Sequence, residues 1–436
     1  MSHVRPAECN FGGRSRVSTI TADRSWTVKE QRILAAANAR HGLVPAPQRI
    51  QISRSDIASV IHVGVPAAGG GTVRSPSGGV GRTVRAATMA AVCEALERYA
   101  AVMARPPRRR REQIGVSLLA AEDFSLFSAE QRADEGFVGE ALYGNDVDYV
   151  AATEHNGALT WVPAPLVLLQ DLSGAQVSTS NGLAAGPSPV AATLRATQEL
   201  IERDAFMSTW LHGVPARQVT MNDEHQSAFR DLGGEVTCFD FTPAYSPHPV
   251  AAVAAMLPSR GAPRYSLGLA CRARWEDAVE KAWLECVQGL MFAGWYCKQP
   301  FAERVSEPKA VTTFDQHAAF YTWNPQLWAE LPLFGGGLTA APASAPEQTN
   351  RRQELAALLQ ALETGGIRVL HAPLNTVELA PLGVHVVRAL SPDLTPLHCH
   401  ESRQFLGGTT PDVRRRYPWV DLSSLTFPNV MPHPLG

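Results

Sequence analysis

Three long stretches of the chain are apolar on nearly every helical face, which is typical of buried α-helices. They run from Arg85 to Ala104, from Val190 to about Leu211, and from Trp275 to about Trp295. The first is followed by a Pro-Pro pair, and proline stops the helical hydrogen-bond ladder there. A further helix is predicted near Arg351–Thr364, and a short one around Val28–Arg40.

Shorter apolar runs predict β-strands between and after these helices. Residues 148–170 have the pattern of two strands joined by a hairpin loop at His155–Gly157. Buried strands are predicted at VAAVAAML (250–257), YSLGLAC (265–271), IRVLHA (367–372) and VHVVRAL (384–390). Because strands and helices interleave, the chain predicts an α/β or α+β fold built from two related halves.

Small-residue stretches come directly before the first two long helices. Residues 65–83 (VPAAGGGTVRSPSGGVGRT) and 178–189 (STSNGLAAGPSP) are predicted loops. Backbone N–H groups of SPSGGVGRT, close to a helix N-terminus, would suit an anion, although the segment is neither a Walker loop nor a Rossmann fingerprint. Residues 331–347 are predicted to be a surface loop, and the proline-rich tail 425–436 cannot be a regular helix.

Each of the first two long helices carries the pattern Glu-x-x-Glu-Arg, at Glu94–Arg98 and at Glu199–Arg203. Residues three or four apart share a helix face, so these groups could form intrahelical ion pairs on a solvated face, each worth ~0.3 kcal/mol. Alternatively, four carboxylates could converge on a cation, since carboxylates in apolar surroundings need partners. Oxygen ligands suit Mg²⁺ with a nucleotide, whereas a di-iron site would need Glu-x-x-His pairs. The residues alone leave both hypotheses open.

Other charged groups are less specific. Lys281, Glu285 and Gln288 share one face of the third helix, which fits either the same site or a helix edge touching solvent. The run Arg108–Arg111 is typical of a solvated loop, or of a surface that docks an acidic peptide. The run His398–His400 contains two histidines and a cysteine, but one such cluster with no second ligand set is more often structural than metal-binding.

Composition excludes several classes of protein. The chain has 436 residues, of which 45% are hydrophobic and 18% charged, as expected for a globular protein with a sizeable core. The formal net charge of −2 argues against a general nucleic-acid binder. No apolar run reaches the roughly 18 residues that span a bilayer, and no secretory signal is recognisable. Seven scattered cysteines without CxxC favour reduced thiols and a cytoplasmic protein, and the absence of a nucleophile motif disfavours a covalent hydrolase.

Several segments resemble, in order, the signature segments of the YcaO-like family. SPSGGVGRTVRAATMAAVCEALERY resembles the first ATP-binding segment, and STSNGLAAGPSPVAATLRATQELIERDAFMSTW, the most specific stretch, resembles the second. WEDAVEKAWLECVQGL resembles the third helix, VVRALSPDLTPLHCH the C-terminal strand and loop, and MPHPLG the proline-rich tail of azoline-forming members. The resemblance implies a YcaO fold over residues 65–436, after an N-terminal segment 1–64.

The resemblance also implies that ATP binds through Mg²⁺ between the two acidic helices. The implied metal ligands are Glu94, Glu97, Glu199 and Glu202. The implied nucleotide-binding residues are these four together with Ser77, Gly79, Arg82, Arg98, Ser180, Asn181, Arg203, Glu285 and Gln288. The implied catalytic residues are Glu199, Glu202, Arg203 and the C-terminal Gly436, and the tail is expected to be mobile and to close over the peptide site.

Four internal positions and the end of the tail differ from the common family pattern. Val80 stands where a lysine often occurs, Ala90 replaces a frequent serine, and Ala191 stands where an acidic or glutamine side chain is usual. Leu290 replaces an arginine, and the tail ends Pro-x-Pro-x-Gly instead of Pro-x-Pro-x-Pro. These differences concern the phosphate contacts and leave the four carboxylates intact.

The activity implied by the resemblance is ATP-dependent cyclodehydration of a ribosomally made precursor peptide, which converts Cys, Ser or Thr into thiazoline or oxazoline. A thioamide-forming or amidine-forming enzyme is the alternative within the family, and a non-catalytic nucleotide-binding scaffold is the alternative outside it. We expect a separate leader-peptide-binding partner, because the segment before residue 65 is short for that task, and a flavin dehydrogenase in the same complex. We expect no nucleic-acid or membrane partner, and a homodimer is compatible with the sequence.

Overall fold

The computed structural model describes residues 26–38, 40–50, 58–63, 77–169, 177–259 and 261–436. Within these residues the helices are α1 Val28–Ala35, α2 Val84–Met103, α3 Ala129–Arg132, α4 Glu140–Tyr143, α5 Ala164–Val167, α6 Pro189–Leu211, α7 Asp223–Arg230, α8 Trp275–Tyr296, α9 Phe314–Trp323 and α10 Arg351–Thr364. The strands are β1 Gln48–Ile50, β2 Ser59–Val63, β3 Ser77–Gly81, β4 Arg108–Arg109, β5 Tyr149–Glu154, β6 Leu159–Pro163, β7 Leu183–Gly186, β8 Arg217–Val219, β9 Glu235–Asp240, β10 Val250–Leu257, β11 Arg264–Cys271, β12 Leu338–Thr339, β13 Leu370–Pro373 and β14 His385–Leu390.

The strands form three sheets that are mostly antiparallel. A small sheet has the order β1-β2-β3, with Ser59 opposite Gly81. The second sheet has the order β11-β10-β9-β8-β12, in which β12 lies parallel to β8. The third has the order β4-β5-β13-β14-β7, and β6 pairs with β5 beside that path.

Helices α2, α6 and α8 cover these sheets and carry the acidic residues. Helix α2 packs on β2, β3 and β7, helix α6 packs on β7, β14 and β11, and helix α8 packs on β10 and β11. Because β7 contacts both α2 and α6, and β11 contacts both α6 and α8, the sheets hold the three helices side by side. The alternation of strands and helices in the chain therefore places the two Glu-x-x-Glu-Arg patterns in neighbouring helices.

The local sequence explains where α2 and α6 begin. The side-chain oxygen of Thr83 accepts a hydrogen bond from the backbone N–H of Ala86, and that of Ser188 accepts one from Ala191. Each hydroxyl thus satisfies one of the N–H groups that have no partner inside the helix. Pro189 occupies the first turn of α6, where its missing N–H is tolerated.

Each of the three helices lies against a glycine in a strand. A Cβ atom at Gly79 of β3 would overlap the backbone of Ala91 in α2, and one at Gly186 of β7 would lie 2.6 Å from the backbone N of Ala192 in α6. A Cβ at Gly268 of β11 would overlap the backbone of α8 in the same way. A side chain at any of these positions would push the helix away from its sheet.

The structure confirms the predicted long helices and the predicted strands from residue 148 onward. Both predicted small-residue loops are wrong in part, because residues 77–81 form β3 and residues 183–186 form β7. These short strands are made of glycine, alanine and serine with few β-branched residues, so they lack the usual strand signal. The short first helix ends at Ala35 instead of continuing to Arg40, and residues 64–76 of the first loop lie outside the described residues.

Three further expectations concern the chain as a whole. The six cysteines within the described residues are free thiols, and Cys9 lies outside those residues. In the described part of the chain, no helix is both long enough and apolar enough to cross a bilayer. Strand β2 of the predicted N-terminal segment pairs with β3 of the predicted catalytic domain, and the boundary at residue 64 stays a prediction.

Candidate functional site

The carboxylates of the two Glu-x-x-Glu-Arg patterns face each other. Glu97 of α2 lies close enough to Glu199 of α6 that the charge of Glu199 contributes to the raised pKa of Glu97. Glu285 of α8 acts on the pKa values of Glu94 and Glu202 in the same sense. Carboxylates from three helices therefore form one acidic group.

Two backbone N–H groups fix the orientation of this group. The N–H of Ala185, in β7, donates a hydrogen bond of 2.8 Å to Oε2 of Glu97 in α2. The N–H of Cys271, at the end of β11, donates one of 3.2 Å to Oε2 of Glu202 in α6. In both cases a strand that lies between two of the helices binds an acid of one of them, so the sheets position the acids directly.

Each arginine of the two patterns lies between the two carboxylates of its own helix. Arg98 is 3.4 Å from Glu94 and 3.9 Å from Glu97, and Arg203 is 3.8 Å from Glu199 and 3.5 Å from Glu202. These distances exceed the 2.7–2.9 Å or so of charge-assisted hydrogen bonds. On α8 the ion pair of Lys281 with Glu285 is tighter, at 2.9 Å.

Partial burial makes this acidic group unfavourable as a set of free anions. Burial raises the pKa of Glu97 to about 8. The charges of Glu199 and Glu94 raise it further, whereas the charge of Arg98 lowers it. Burial also raises the pKa of Glu202 to about 8, with Glu285 and Glu199 acting in the same direction. Burial raises the pKa values of Glu94 and Glu199 as well. Such shifts indicate negative charge that the surrounding cations do not fully neutralise.

The exposure of these side chains does not fit a solvated helix face. The exposed fractions are 33% for Glu94, 12% for Glu97, 23% for Glu199 and 8% for Glu202. Oxygens that are partly accessible and grouped across helices are suited to a cation that enters from solvent.

Several other predicted residues lie at or beside this group. Gln288 of α8 lies so close to Gly78 that a Cβ there would overlap its amide. The amide of Asn181 donates 2.6 Å to Thr179 and 2.7 Å to the carbonyl of Leu397, which ties the segment before β7 to the loop after β14. The hydroxyl of Ser77 is buried without a hydrogen-bond partner among the described residues, and Ser180 is half-buried beside Asn181.

Three predicted residues are engaged elsewhere. Arg82 donates two hydrogen bonds of 2.7 Å to Glu280 and lies 4.3 Å from the ring of Trp283, so its guanidinium is already paired. Gly79 lies directly against the backbone of α2. The C-terminal Gly436 lies against α9, where a Cβ would come within 2.5 Å of the Cβ of Ala318.

The tail differs from the mobile segment that was expected. His433 and Leu435 are buried, at 0% and 5% exposure. The hydroxyl of Tyr321 donates 2.6 Å to the carbonyl of Pro432, and the indole of Trp210 donates 2.9 Å to that of Met431. A segment with two prolines in its last six residues cannot form regular structure, so side chains satisfy its carbonyls instead.

Arg388, which was not among the predicted site residues, lies in β14 at 1% exposure. Its guanidinium donates to the carbonyls of Val167 and Asn181, while its Nη2 has no hydrogen-bond partner among the described residues. Glu199 and Glu97 are among the charges that act on it, so this cation faces the acidic group. The available signal was an arginine inside the mostly apolar strand VHVVRAL.

A cavity adjoins the acidic group on the side of Arg203 and Arg388. Leucine is the most frequent residue in its lining, and Ser125, Thr179 and Thr395 line it as well. Apolar walls with a few polar groups at one end are typical of sites for small molecules or peptide side chains.

The residues present fit a nucleotide bound through a divalent cation. The donor set is made of carboxylate oxygens, which are the ligands that Mg²⁺ prefers. Nη1 of Arg98 and Nη2 of Arg388 are buried without hydrogen-bond partners among the described residues, as expected of donors that await an anion such as phosphate.

Comparison with known proteins identifies the same chemistry. Residues 78–395 match the family described as YcaO cyclodehydratase, ATP- and Mg²⁺-binding. A solved structure of a heterocyclase in complex with substrate and cofactor has a TM-score of 0.72 at 19% identity, covering 93% of this chain and 57% of that chain. This chain thus spans a little over half the length of that heterocyclase. A comparison with curated proteins gave no match.

Two further solved structures share the fold. YcaO from Methanopyrus kandleri, bound with AMPPCP and Mg²⁺, has a TM-score of 0.60 at 18% identity, covering 86% of this chain and 88% of that chain. A chain of the E. coli microcin synthetase McbBCD complex has a TM-score of 0.59 at 16% identity, covering 88% of this chain and 98% of that chain. These matches confirm the predicted fold. Since the family match covers most of its length, this chain belongs to the YcaO family, whose cofactors are ATP and Mg²⁺.

Proposed function

We propose that the protein is an ATP-dependent cyclodehydratase that converts Cys, Ser or Thr residues of a ribosomally made precursor peptide into azolines. The observation that carries the proposal is the grouping of Glu94 and Glu97 with Glu199 and Glu202 in a YcaO fold. The proline-rich tail supports azoline formation over the thioamide-forming and amidine-forming alternatives within the family.

In the proposed reaction, the side-chain thiol or hydroxyl loses its proton as its sulfur or oxygen attacks the carbonyl carbon of the preceding amide. The former carbonyl oxygen then takes the γ-phosphoryl group of ATP, which releases ADP. Phosphate leaves with that oxygen while the amide nitrogen loses its proton, so a C=N bond forms and the peptide loses one water. Such phosphoryl transfer depends on positioning and on neutralising the phosphate charge.

The four carboxylates are the proposed metal ligands, and bound Mg²⁺ would neutralise and orient the polyphosphate. Arg98, Arg203 and Arg388 are the proposed phosphate partners, because each faces the acidic group with weak or missing hydrogen bonds. Hydrogen bonds from Ala185 and Cys271 hold Glu97 and Glu202 in place. The adjoining cavity is the proposed location of the peptide side chain that reacts.

The proposed partners are the precursor peptide, a separate protein that binds its leader, and a flavin dehydrogenase. Support comes from the likeness to a chain of the microcin synthetase McbBCD complex, which has also been solved with pro-MccB17 bound. If this chain alone modified the peptide equally well with and without its leader, the separate leader-binding partner would be ruled out.

A nucleotide-binding scaffold without catalysis is the second candidate, and one observation favours it. Val80 and Leu290, which replace basic residues of the common pattern, are buried in the same hydrophobic cluster as Trp283. Two cations of the usual site are therefore replaced together by apolar packing.

The test is ATP turnover with Mg²⁺, the leader-binding partner and the precursor peptide, followed by mass spectrometry of the peptide. The cyclodehydratase predicts loss of one water per ring, with ADP and phosphate formed in proportion. Exchange of oxygen for sulfur in the peptide would identify the thioamide-forming alternative. ATP binding without turnover would identify the scaffold.

A further inference from the structure

Three histidines and one glutamate from distant parts of the chain form a fully buried cluster. His317 lies in α9, His398 and Glu401 lie in the loop after β14, and His433 lies in the C-terminal tail. The side chains of His317, His398 and Glu401 are at most 1% exposed, and His433 is 0% exposed. Imidazole and carboxylate groups are seldom buried together without a partner that balances their lone pairs and charge.

The hydrogen bonds of two histidines indicate where their ring protons lie. Nε2 of His317 is 2.9 Å from the carbonyl oxygen of Cys399, and Nε2 of His433 is 2.8 Å from that of His398. A carbonyl only accepts, so each Nε2 carries the proton and donates it. In the neutral rings, both Nδ1 atoms are then left with lone pairs.

These lone pairs have no donor that satisfies them among the described residues. Nδ1 of His433 has no hydrogen-bond partner, and Nδ1 of His317 lies 2.9 Å from another acceptor, the carbonyl oxygen of His433. Both nitrogens of His398 are also without hydrogen-bond partners, although its Nε2 is 3.2 Å from Oε1 of Glu401. A positive charge at this point would balance the lone pairs of the two Nδ1 atoms and of one nitrogen of His398.

The carboxylate has the supporting contacts of a metal ligand. Oε1 of Glu401 is 3.7 Å from Nδ1 of His317 and accepts a hydrogen bond of 3.2 Å from the backbone N–H of His433. Its Oε2 accepts a hydrogen bond of 2.9 Å from Gln404. Metal-binding histidines that donate their other N–H to a carbonyl, and carboxylates held by a second partner, are the usual outer arrangement of such sites.

We propose that this cluster binds one divalent transition-metal ion of the Zn²⁺ type, with His317, His433 and Glu401 as ligands and His398 as the fourth. Donor atoms of His317, Glu401 and His433 lie within 4.8 Å of one another. In a tetrahedral zinc site with bonds of about 2.0–2.1 Å, donor atoms are roughly 3.4 Å apart, so the longest of these separations must shorten by up to about 1.4 Å. The stacked rings of His317 and His433, 3.7 Å apart, must also splay.

Nitrogen ligands distinguish this ion from the Mg²⁺ of the acidic group, because imidazole favours Zn²⁺ and its neighbours over Mg²⁺. The proposed ion would attach the C-terminal tail to α9 and to the loop after β14. The ring centroid of His433 also lies 6.1 Å from that of Phe206, which follows Glu202 and Arg203 by one turn in α6. The site does not depend on the reaction proposed above, so its test stands apart from that of the activity.

The test is metal analysis of the full chain, purified without a histidine tag and freed of loosely bound ions. We expect about one zinc-type ion per chain by mass spectrometry of the elements. After removal of that ion by a chelator, added Co²⁺ should give the visible absorption of a tetrahedral nitrogen and oxygen site, and Zn²⁺ should displace it. Added Mg²⁺ should do neither.

Two variants locate the site. His433→Gln and Glu401→Gln should each weaken Co²⁺ binding by more than ~100-fold, since even outer-shell partners are worth roughly 10–100-fold. His400→Gln is the matched control, because its ring contacts Ser402 instead of the cluster. A folded wild-type chain that holds no transition metal and gives no Co²⁺ spectrum would overturn the proposal, and a second proton on His317 would then be the positive charge. Equal Co²⁺ binding by wild type and both variants would overturn it as well.

Discussion

The backbone N–H of Ala185 donates a hydrogen bond of 2.8 Å to the carboxylate of Glu97. Ala185 lies in the strand that leads into α6, and Glu97 lies in α2, so the strand before one acidic helix holds an acid of the other. Cys271 and Glu202 repeat this relationship between β11 and α6. The acidic group is therefore held by contacts between helices and strands that are distant in the sequence. Its function should respond to changes in any of the three helices.

Replacing Glu202 by glutamine should separate stability from activity. Burial raises the pKa of Glu202 to about 8, which means that the folded protein disfavours its anion at neutral pH. Without Mg²⁺, Glu202→Gln should therefore raise the free energy of unfolding by roughly 1 kcal/mol. ATP turnover should fall by ~100-fold or more, because a group that positions phosphate charge is lost.

Urea unfolding and an ADP-release assay would measure the two effects. Glu276→Gln is the control, because Glu276 lies on α8 with 68% of its side chain exposed. Wild-type turnover in Glu202→Gln would remove Glu202 from the proposed site.

Replacing Gly79 by alanine should weaken the packing of α2 on β3. The new Cβ would overlap the backbone of Ala91, and such overpacking costs about 1–3 kcal/mol. Gly337→Ala is the matched control, because no atom lies within 4 Å of a Cβ at that position. The midpoint of urea unfolding should fall for Gly79→Ala alone. An unchanged midpoint in both variants would show that Gly79 does not act through packing.

Replacing Arg388 by lysine should impair nucleotide binding while the charge is kept. The planar guanidinium of Arg388 contacts Val167 and Asn181, while its Nη2 stays free toward the acidic group. Lysine has no such planar group and cannot make these contacts together. The KM for ATP should rise by ~10-fold or more, with a smaller change in the KM for the peptide. A rise confined to the peptide KM would instead assign Arg388 to the peptide side of the site.

Two buried histidines should contribute less to stability as the pH falls below neutral. Burial lowers the pKa values of His62 and His248 to about 4, and Gln198 lies 3.1 Å from Nδ1 of His248. Between about pH 6.5 and pH 4 the unfolded chain takes up protons at these rings while the folded chain does not. The contribution of each histidine to the free energy of unfolding should therefore fall over that window, by up to roughly 3 kcal/mol. Glu97 and Glu202, whose pKa values are raised to about 8, contribute in the opposite direction, so the histidine contribution is isolated by comparing variants.

Urea unfolding at pH 7.5 and at pH 5.0 would measure this loss. His248→Gln should show a smaller pH dependence than wild type, whereas His155→Gln, at the exposed hairpin, should show the same dependence as wild type. Equal slopes for wild type and His248→Gln would mean that His248 titrates normally in the folded state.

Much of the fold could be predicted because its signals are local. The apolar periodicity of α2, α6 and α8 and the i, i+3 spacing of their glutamates depend on residues within a few turns of each other. Strands β3 and β7 were missed because their glycine and alanine residues are selected for close contact with a helix, and such contact leaves no strand pattern in the sequence. Gly79 and Gly186 show this, since each lies against a helix backbone.

Contacts between distant residues explain most of the remaining differences. The pairing of Arg82 with Glu280 removes Arg82 from the acidic group, and nothing near Arg82 in the sequence indicates it. Arg388 enters the site because β14 pairs with β7. The histidine cluster is similar, because His398 lacked further ligands in its own segment and the fold brings His317 and His433 to it.

The central claim, that α2 and α6 supply a single Mg²⁺–ATP site, is tested most directly by a double-mutant cycle. The measurement is the Mg²⁺-dependent affinity for AMPPCP, by calorimetry, of wild type, Glu97→Gln, Glu202→Gln and the double variant. One shared site predicts that each single change weakens binding and that the two effects are not additive, with a coupling of ~1 kcal/mol or more. Effects that add within about 0.5 kcal/mol, or a loss in only one single variant, would contradict it.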